Sequence, residues 1–96
     1  MFARVVVAQG AIESLDGAIG AAEEYLPAAA EQPGFHGFYL LVDRETGKLM
    51  TVSLWETREQ AEATETRAGR VRVDVAPAVG ISREPVVEVY KLAVRR

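Results

Sequence analysis

Two apolar segments separated by four turn-forming residues constrain this chain more than any other feature. Residues 35–43 read Phe-His-Gly-Phe-Tyr-Leu-Leu-Val-Asp and residues 48–55 read Lys-Leu-Met-Thr-Val-Ser-Leu-Trp, with Arg44-Glu45-Thr46-Gly47 between them. Both runs are rich in β-branched and aromatic residues, and Gly47 is free to take positive φ, so the stretch predicts a β-hairpin. A four-residue turn pairs Asp43 with Lys48 and His36 with Trp55. Side chains alternate between the faces of a strand. One face then carries Phe35, Gly37, Tyr39, Leu41, Met50, Val52 and Leu54, and the other His36, Phe38, Leu40, Val42, Leu49, Thr51, Ser53 and Trp55. A solvated sheet face would be polar. Neither of these is, so the hairpin predicts a sheet that needs a cover on both sides. The first, more aliphatic set suits a helix layer. The second mixes apolar groups with His36, Thr51, Ser53 and Trp55, which suits a pocket with a few polar groups, closed by a second copy of the chain.

The rest of the chain supplies one cover. Residues 2–9, centred on Val5, Val6 and Val7, predict a strand ended by Gly10. Ser14 and Asp16 are both plausible N-caps of a helix whose face is marked by Leu15, Ile19, Ala22 and Leu26, with Glu23 and Glu24 expected on its wet side. Pro27 is expected to kink that helix or start a second segment, with Ala28 to Glu31 continuing after it, and Pro33-Gly34 to stop it. Thr57-Arg58-Glu59-Gln60 is a capping box opening a second helix, with a thin stripe of Ala61, Thr64 or Glu65, Ala68, Val71 and Val75. Pro77 ends it, residues 76–84 read as a loop, and residues 86–94 predict a last strand. The order is strand, helix, strand, strand, helix, strand. That is a ferredoxin-like β-α-β-β-α-β sandwich of the α+β class, with an antiparallel sheet, in a single domain spanning residues 1–96. Two helices cover one face of four strands, which again leaves the other face for a homodimer partner.

Three stretches carry a family resemblance across nearly the whole chain: Gln32-Pro33-Gly34-Phe35-His36-Gly37-Phe38-Tyr39, Val52-Ser53-Leu54-Trp55-Glu56-Thr57, and Pro85-Val86-Val87-Glu88-Val89-Tyr90. In order and at these distances they resemble the antibiotic biosynthesis monooxygenase family of dimeric α+β barrels. The resemblance implies a homodimer whose two sheets close face to face, and a pocket between sheet and helices or inside the barrel. It implies, for some members, oxidation of aromatic polyketides without metal or flavin, and for others haem degradation. Trp55 matches the family's pocket tryptophan at the end of the third strand. The chain departs from the family in containing no asparagine and no histidine on the second helix, so haem degradation is not expected and no cofactor or metal is expected.

Each candidate residue has two readings. Trp55 is a core or interface residue, or the stacking wall for a flat substrate. His36, the single histidine, is a hydrogen-bonded structural residue or a general base. Phe38, Thr51 and Ser53 share its predicted face and would bind or orient the ligand. Glu56 would sit against the dipole of the second helix. Two functions fit: a cofactor-independent monooxygenase-like enzyme acting on a small aromatic or quinol, and a non-catalytic dimeric protein that binds a small hydrophobic ligand or serves as a scaffold. The net charge of −3 and the lack of any dense Lys/Arg cluster argue against nucleic-acid binding. The chain has no cysteine, which removes disulfides and thiolate chemistry. No apolar run approaches the ~20 residues of a membrane span, and residues 1–8 are too soon interrupted for a signal peptide, so a cytoplasmic protein is expected.

Overall fold

A computed structural model describes residues 1–63 and 85–96. Strand β1 (Phe2–Gln9) leads through a short 3₁₀ turn (Ile12–Ser14) into helix α1 (Leu15–Ala30). Strands β2 (Phe35–Val42) and β3 (Lys48–Trp55), helix α2 (Arg58–Ala63) and strand β4 (Val86–Lys91) follow. The four strands form one sheet in the order β2-β3-β1-β4, every neighbouring pair antiparallel. The expected stripe of the second helix from Thr64 to Val75 and the loop 76–84 lie outside the described residues.

Local chemistry explains most element boundaries. In the turn, the Gly47 amide donates to the Asp43 carbonyl at 2.9 Å and the Asp43 amide to the Lys48 carbonyl at 2.8 Å. The Asp43 carboxylate accepts the Glu45 amide at 2.9 Å. That bond holds the Asp43 pKa below its ordinary value, helped by Thr46 and Lys48. Its contribution is therefore present above the usual carboxylate range and fades as pH falls through the lowered value. Gly47 does take positive φ, 81°. A Cβ there would also lie 2.4 Å from the Gly10 carbonyl oxygen. Gly47→Ala is accordingly expected to cost about 1–3 kcal/mol, read as a lower urea midpoint; an unchanged midpoint would show that the turn relaxes freely.

The capping box forms in both directions. The Gln60 amide donates to Thr57 Oγ1 and the Thr57 amide to Gln60 Oε1, each at 3.1 Å. At α1 the expectation holds less well. Ser14 is the N-cap residue but its hydroxyl makes no cap bond, and Asp16 is paired with Arg44 at 3.0 Å. Helix α1 runs through Pro27 to Ala30 as one element instead of restarting.

Two expectations about the hairpin are corrected. The register runs as predicted from Val42↔Leu49 to Gly37↔Leu54, then slips, so that Phe35 lies opposite Trp55. His36 is the extra residue of a β-bulge, not the partner of Trp55. The Gly34 carbonyl, which accepts the Glu56 amide at 2.8 Å, ties the slipped end down.

The faces are also exchanged. The helices cover the mixed set: Leu15 packs with Ala8 and Leu49 in the core, with Ala18, Leu40 and Val42 beside them. The aliphatic set, expected under the helices, faces away from them, except Phe35, which the bulge turns onto Trp55. Tyr39, Leu41 and Met50 are exposed there, together with Val86 and Tyr90 of β4. Both faces of this hairpin are apolar, so hydrophobicity cannot choose between them. The handedness of the β1-α1-β2 crossover makes that choice.

Candidate functional site

Between helix α1 and edge strand β2 lies a groove of about 290 Å³ lined by Ile19, Ala22, Glu23, Leu26, Phe38, Leu40 and Val42. The helix contributes positions 19, 22, 23 and 26, one face at spacings of three and four. The strand contributes positions 38, 40 and 42, one face at spacing two. Tyr25 meets Phe38 edge to face at 6.2 Å. Glu23 is the one ionisable side chain in this lining. The stripe on α1 was legible in the sequence. Glu23 is exposed, as expected of the wet side of the helix, and it also borders the groove four residues after Ile19.

Of the candidate site residues His36, Phe38, Thr51, Ser53 and Trp55, only Phe38 lines this groove. Trp55 is fully buried. Its indole N–H donates to Ser53 Oγ at 2.9 Å, and Phe35 packs against it edge to face at 5.6 Å. The Arg4 guanidinium lies 5.4 Å from the Trp55 ring centre. Arg4 is itself only 3% exposed and donates to the Ala61 carbonyl of α2 at 2.8 Å. Trp55, Ser53, Arg4 and Phe35 thus form a packed polar–aromatic block beneath α2. Sequence reading missed Arg4, because a single arginine in a valine-rich strand gives no sign of which face it takes. Thr51 is half-buried on β3 and is not in the groove lining.

His36 sits on the bulge with Nε2 2.5 Å from Glu56 Oε2. The side chains are 39% and 62% exposed, so this is a solvated histidine–carboxylate pair. It joins the start of β2 to the junction of β3 with α2. A carboxylate against one imidazole nitrogen fixes the tautomer and leaves the other nitrogen free to exchange a proton.

The open sheet face holds a different pair. The Tyr90 hydroxyl donates to Glu88 Oε2 at 2.5 Å, and this bond raises the Tyr90 pKa. Glu88 lies opposite Val5 on β1, amid Val52, Leu41 and Tyr39 farther across the face.

An apolar groove beneath a βαββαβ helix layer, with an open apolar sheet behind it, defines an α+β protein of the antibiotic biosynthesis monooxygenase fold. Solved structures agree. The chain superposes with a TM-score of 0.78 on a Nitrosomonas europaea protein described as a "putative antibiotic biosynthesis monooxygenase", at 18% identity, covering 98% of this chain and 100% of that one. A similarly described Deinococcus radiodurans protein gives 0.78 at 9% identity, covering 100% and 96%. Another N. europaea protein, of unknown function, gives 0.81 at 14% identity, covering 99% and 91%. At these identities the likeness is one of fold. In sequence, the chain is 31% identical over 94 residues to an uncharacterized protein of Mycobacterium tuberculosis, found in two strains. That match covers 97% of this chain, which spans 41% of the length of those relatives. No family model matches the sequence. No described helix is long and apolar enough to cross a membrane.

Proposed function

We propose that this chain is a cofactor-independent monooxygenase-like protein whose α1–β2 groove receives a small aromatic or quinol substrate, and that it works as a homodimer closed through the open sheet face. The observation that carries the proposal is the groove itself: an apolar cleft walled by Phe38, Leu40, Val42, Ile19 and Leu26, with one carboxylate at its margin. Such a lining favours a flat apolar ring and orients it through few polar contacts. The fold relatives described as monooxygenases support the chemistry, and fold relatives of this type are typically dimeric.

In the proposed reaction the substrate supplies its own electrons. Deprotonation of a quinol gives an electron-rich anion that can reduce O₂ directly. One oxygen atom is inserted at a ring C–H, the quinol leaves as the hydroxyquinone after giving up four electrons to O₂, and the other oxygen atom leaves as water. The protein's part is to exclude water from the ring, orient it and accept the proton. His36, held by Glu56 and two residues from Phe38, is the base assigned here. A general base contributes about 10²- to 10⁴-fold to a rate. His36→Ala is expected to lower kcat/KM for an accepted quinol by that order, with one ¹⁸O atom from ¹⁸O₂ in the wild-type product. Unchanged turnover in the variant would remove His36 from the reaction.

A second reading, a dimeric binding protein without chemistry, is favoured by one observation. The His36–Glu56 pair is solvated, whereas a working base is usually sheltered by its site. Binding of quinols with no oxidation above the protein-free rate would select this reading.

A further inference from the structure

The groove has a charge asymmetry that the proposed function does not use. Helix α1 carries Asp16, Glu23 and Glu24 and no lysine or arginine. Asp16 is answered by Arg44. Glu23 is exposed and borders the groove beside six uncharged lining residues, none of them able to donate a side-chain hydrogen bond. Pro27 adds to this. It has no N–H to return to the Glu23 carbonyl four residues earlier, so that turn of α1 lacks one of its helical donors. The polar character of this wall is therefore that of an acceptor with negative charge.

We propose that Glu23 makes the α1–β2 groove selective for ring ligands whose head group donates a hydrogen bond on entry, as a neutral phenol or a protonated amine, and that it disfavours rings that enter bearing a carboxylate head. The inference rests on the reading of the groove as a ligand site. An apolar wall holds any ring of suitable size and cannot by itself tell one head group from another. A carboxylate at the margin can, because it accepts from O–H or N–H and repels a second carboxylate. Glu23 is a specificity residue in this role and takes no part in the oxidation.

The test uses one ring with three heads: 2-naphthol, 2-naphthylmethylamine and 2-naphthoate, titrated into the ¹⁵N-labelled full chain at neutral pH. The amides of Leu40 and Val42 report the groove. Naphthol and the amine are expected to shift them, with naphthoate about two- to fivefold weaker than naphthol, the range for one charge contact at a half-open site. Glu23→Gln keeps the shape and removes the charge. It should bring naphthoate level with naphthol and weaken the amine about two- to fivefold, while Glu24→Gln should change neither ratio. Naphthoate binding the wild type as well as naphthol does, or a preference that survives Glu23→Gln, overturns the selectivity while leaving the groove a ligand site. No shift at Leu40 and Val42 with any of the three overturns the groove reading, and the selectivity with it.

Discussion

Replacing Trp55 with alanine is expected to lower the unfolding free energy by about 3–5 kcal/mol, the range for truncating a large buried aromatic. Trp55 is 0% exposed, the largest fully buried side chain described. Its loss removes the stacking surface of the Arg4 guanidinium and the edge-to-face partner of Phe35. It also leaves Ser53, itself buried, without the indole donor. Native domains of this size keep a margin of only about 5–15 kcal/mol, so a loss at the upper end would leave little folded protein at 37 °C. Far-UV circular dichroism against urea is the measurement, since the substitution removes the chain's single tryptophan. Trp55→Phe should cost less, about 1–2 kcal/mol, because it keeps most of the packing and loses the hydrogen bond. A change below about 1 kcal/mol in Trp55→Ala would mean that the block beneath α2 is not the keystone its geometry indicates.

The second large effect concerns assembly. Leu41→Asp is expected to convert a dimer into a monomer of 10.4 kDa without unfolding it. Leu41 is 52% exposed in the single chain and Tyr39 beside it 56%, so an aspartate there is solvated and costs the monomer little. Against a second copy the same residue would be buried without a partner, at about 3–5 kcal/mol. A two-fold interface counts every substitution twice, so the dimer should weaken by several orders of magnitude. Glu88 shows how the native face tolerates one carboxylate: the Tyr90 hydroxyl already satisfies it. Light scattering at micromolar concentration reads the result. A monomeric wild type would overturn the homodimer outright.

These two predictions concern opposite faces of one sheet, and the sequence treated those faces unevenly. That both needed covering was readable from residues 35–55. Which face lies under the helices was not, because Tyr39, Leu41 and Met50 are as apolar as Phe38, Leu40 and Leu49. A groove does lie on the mixed face, but between β2 and α1, and of Trp55, His36, Phe38, Thr51 and Ser53 only Phe38 lines it. The pairing of His36 with Trp55 failed for a local reason. A hairpin register extrapolated from its turn stays in phase only until a bulge, and the Gly34–Glu56 backbone bond holds this one out of phase.

The sequence by itself determined the order and kind of the elements. It also determined the turn at Gly47, the capping box at Thr57 and the helical stripe at Leu15, Ile19, Ala22 and Leu26. All of these depend on chemistry within a few residues along the chain: backbone φ, a side-chain oxygen three residues from an amide, a period of 3.6. Only the tertiary structure decided that the helices lie over Phe38 and Leu40, that Arg4 stacks on Trp55, and that His36 meets Glu56. Each of those depends on the handedness of a crossover or on the spacing between packed elements. Both arise from residues far apart in the chain, and no local pattern encodes them.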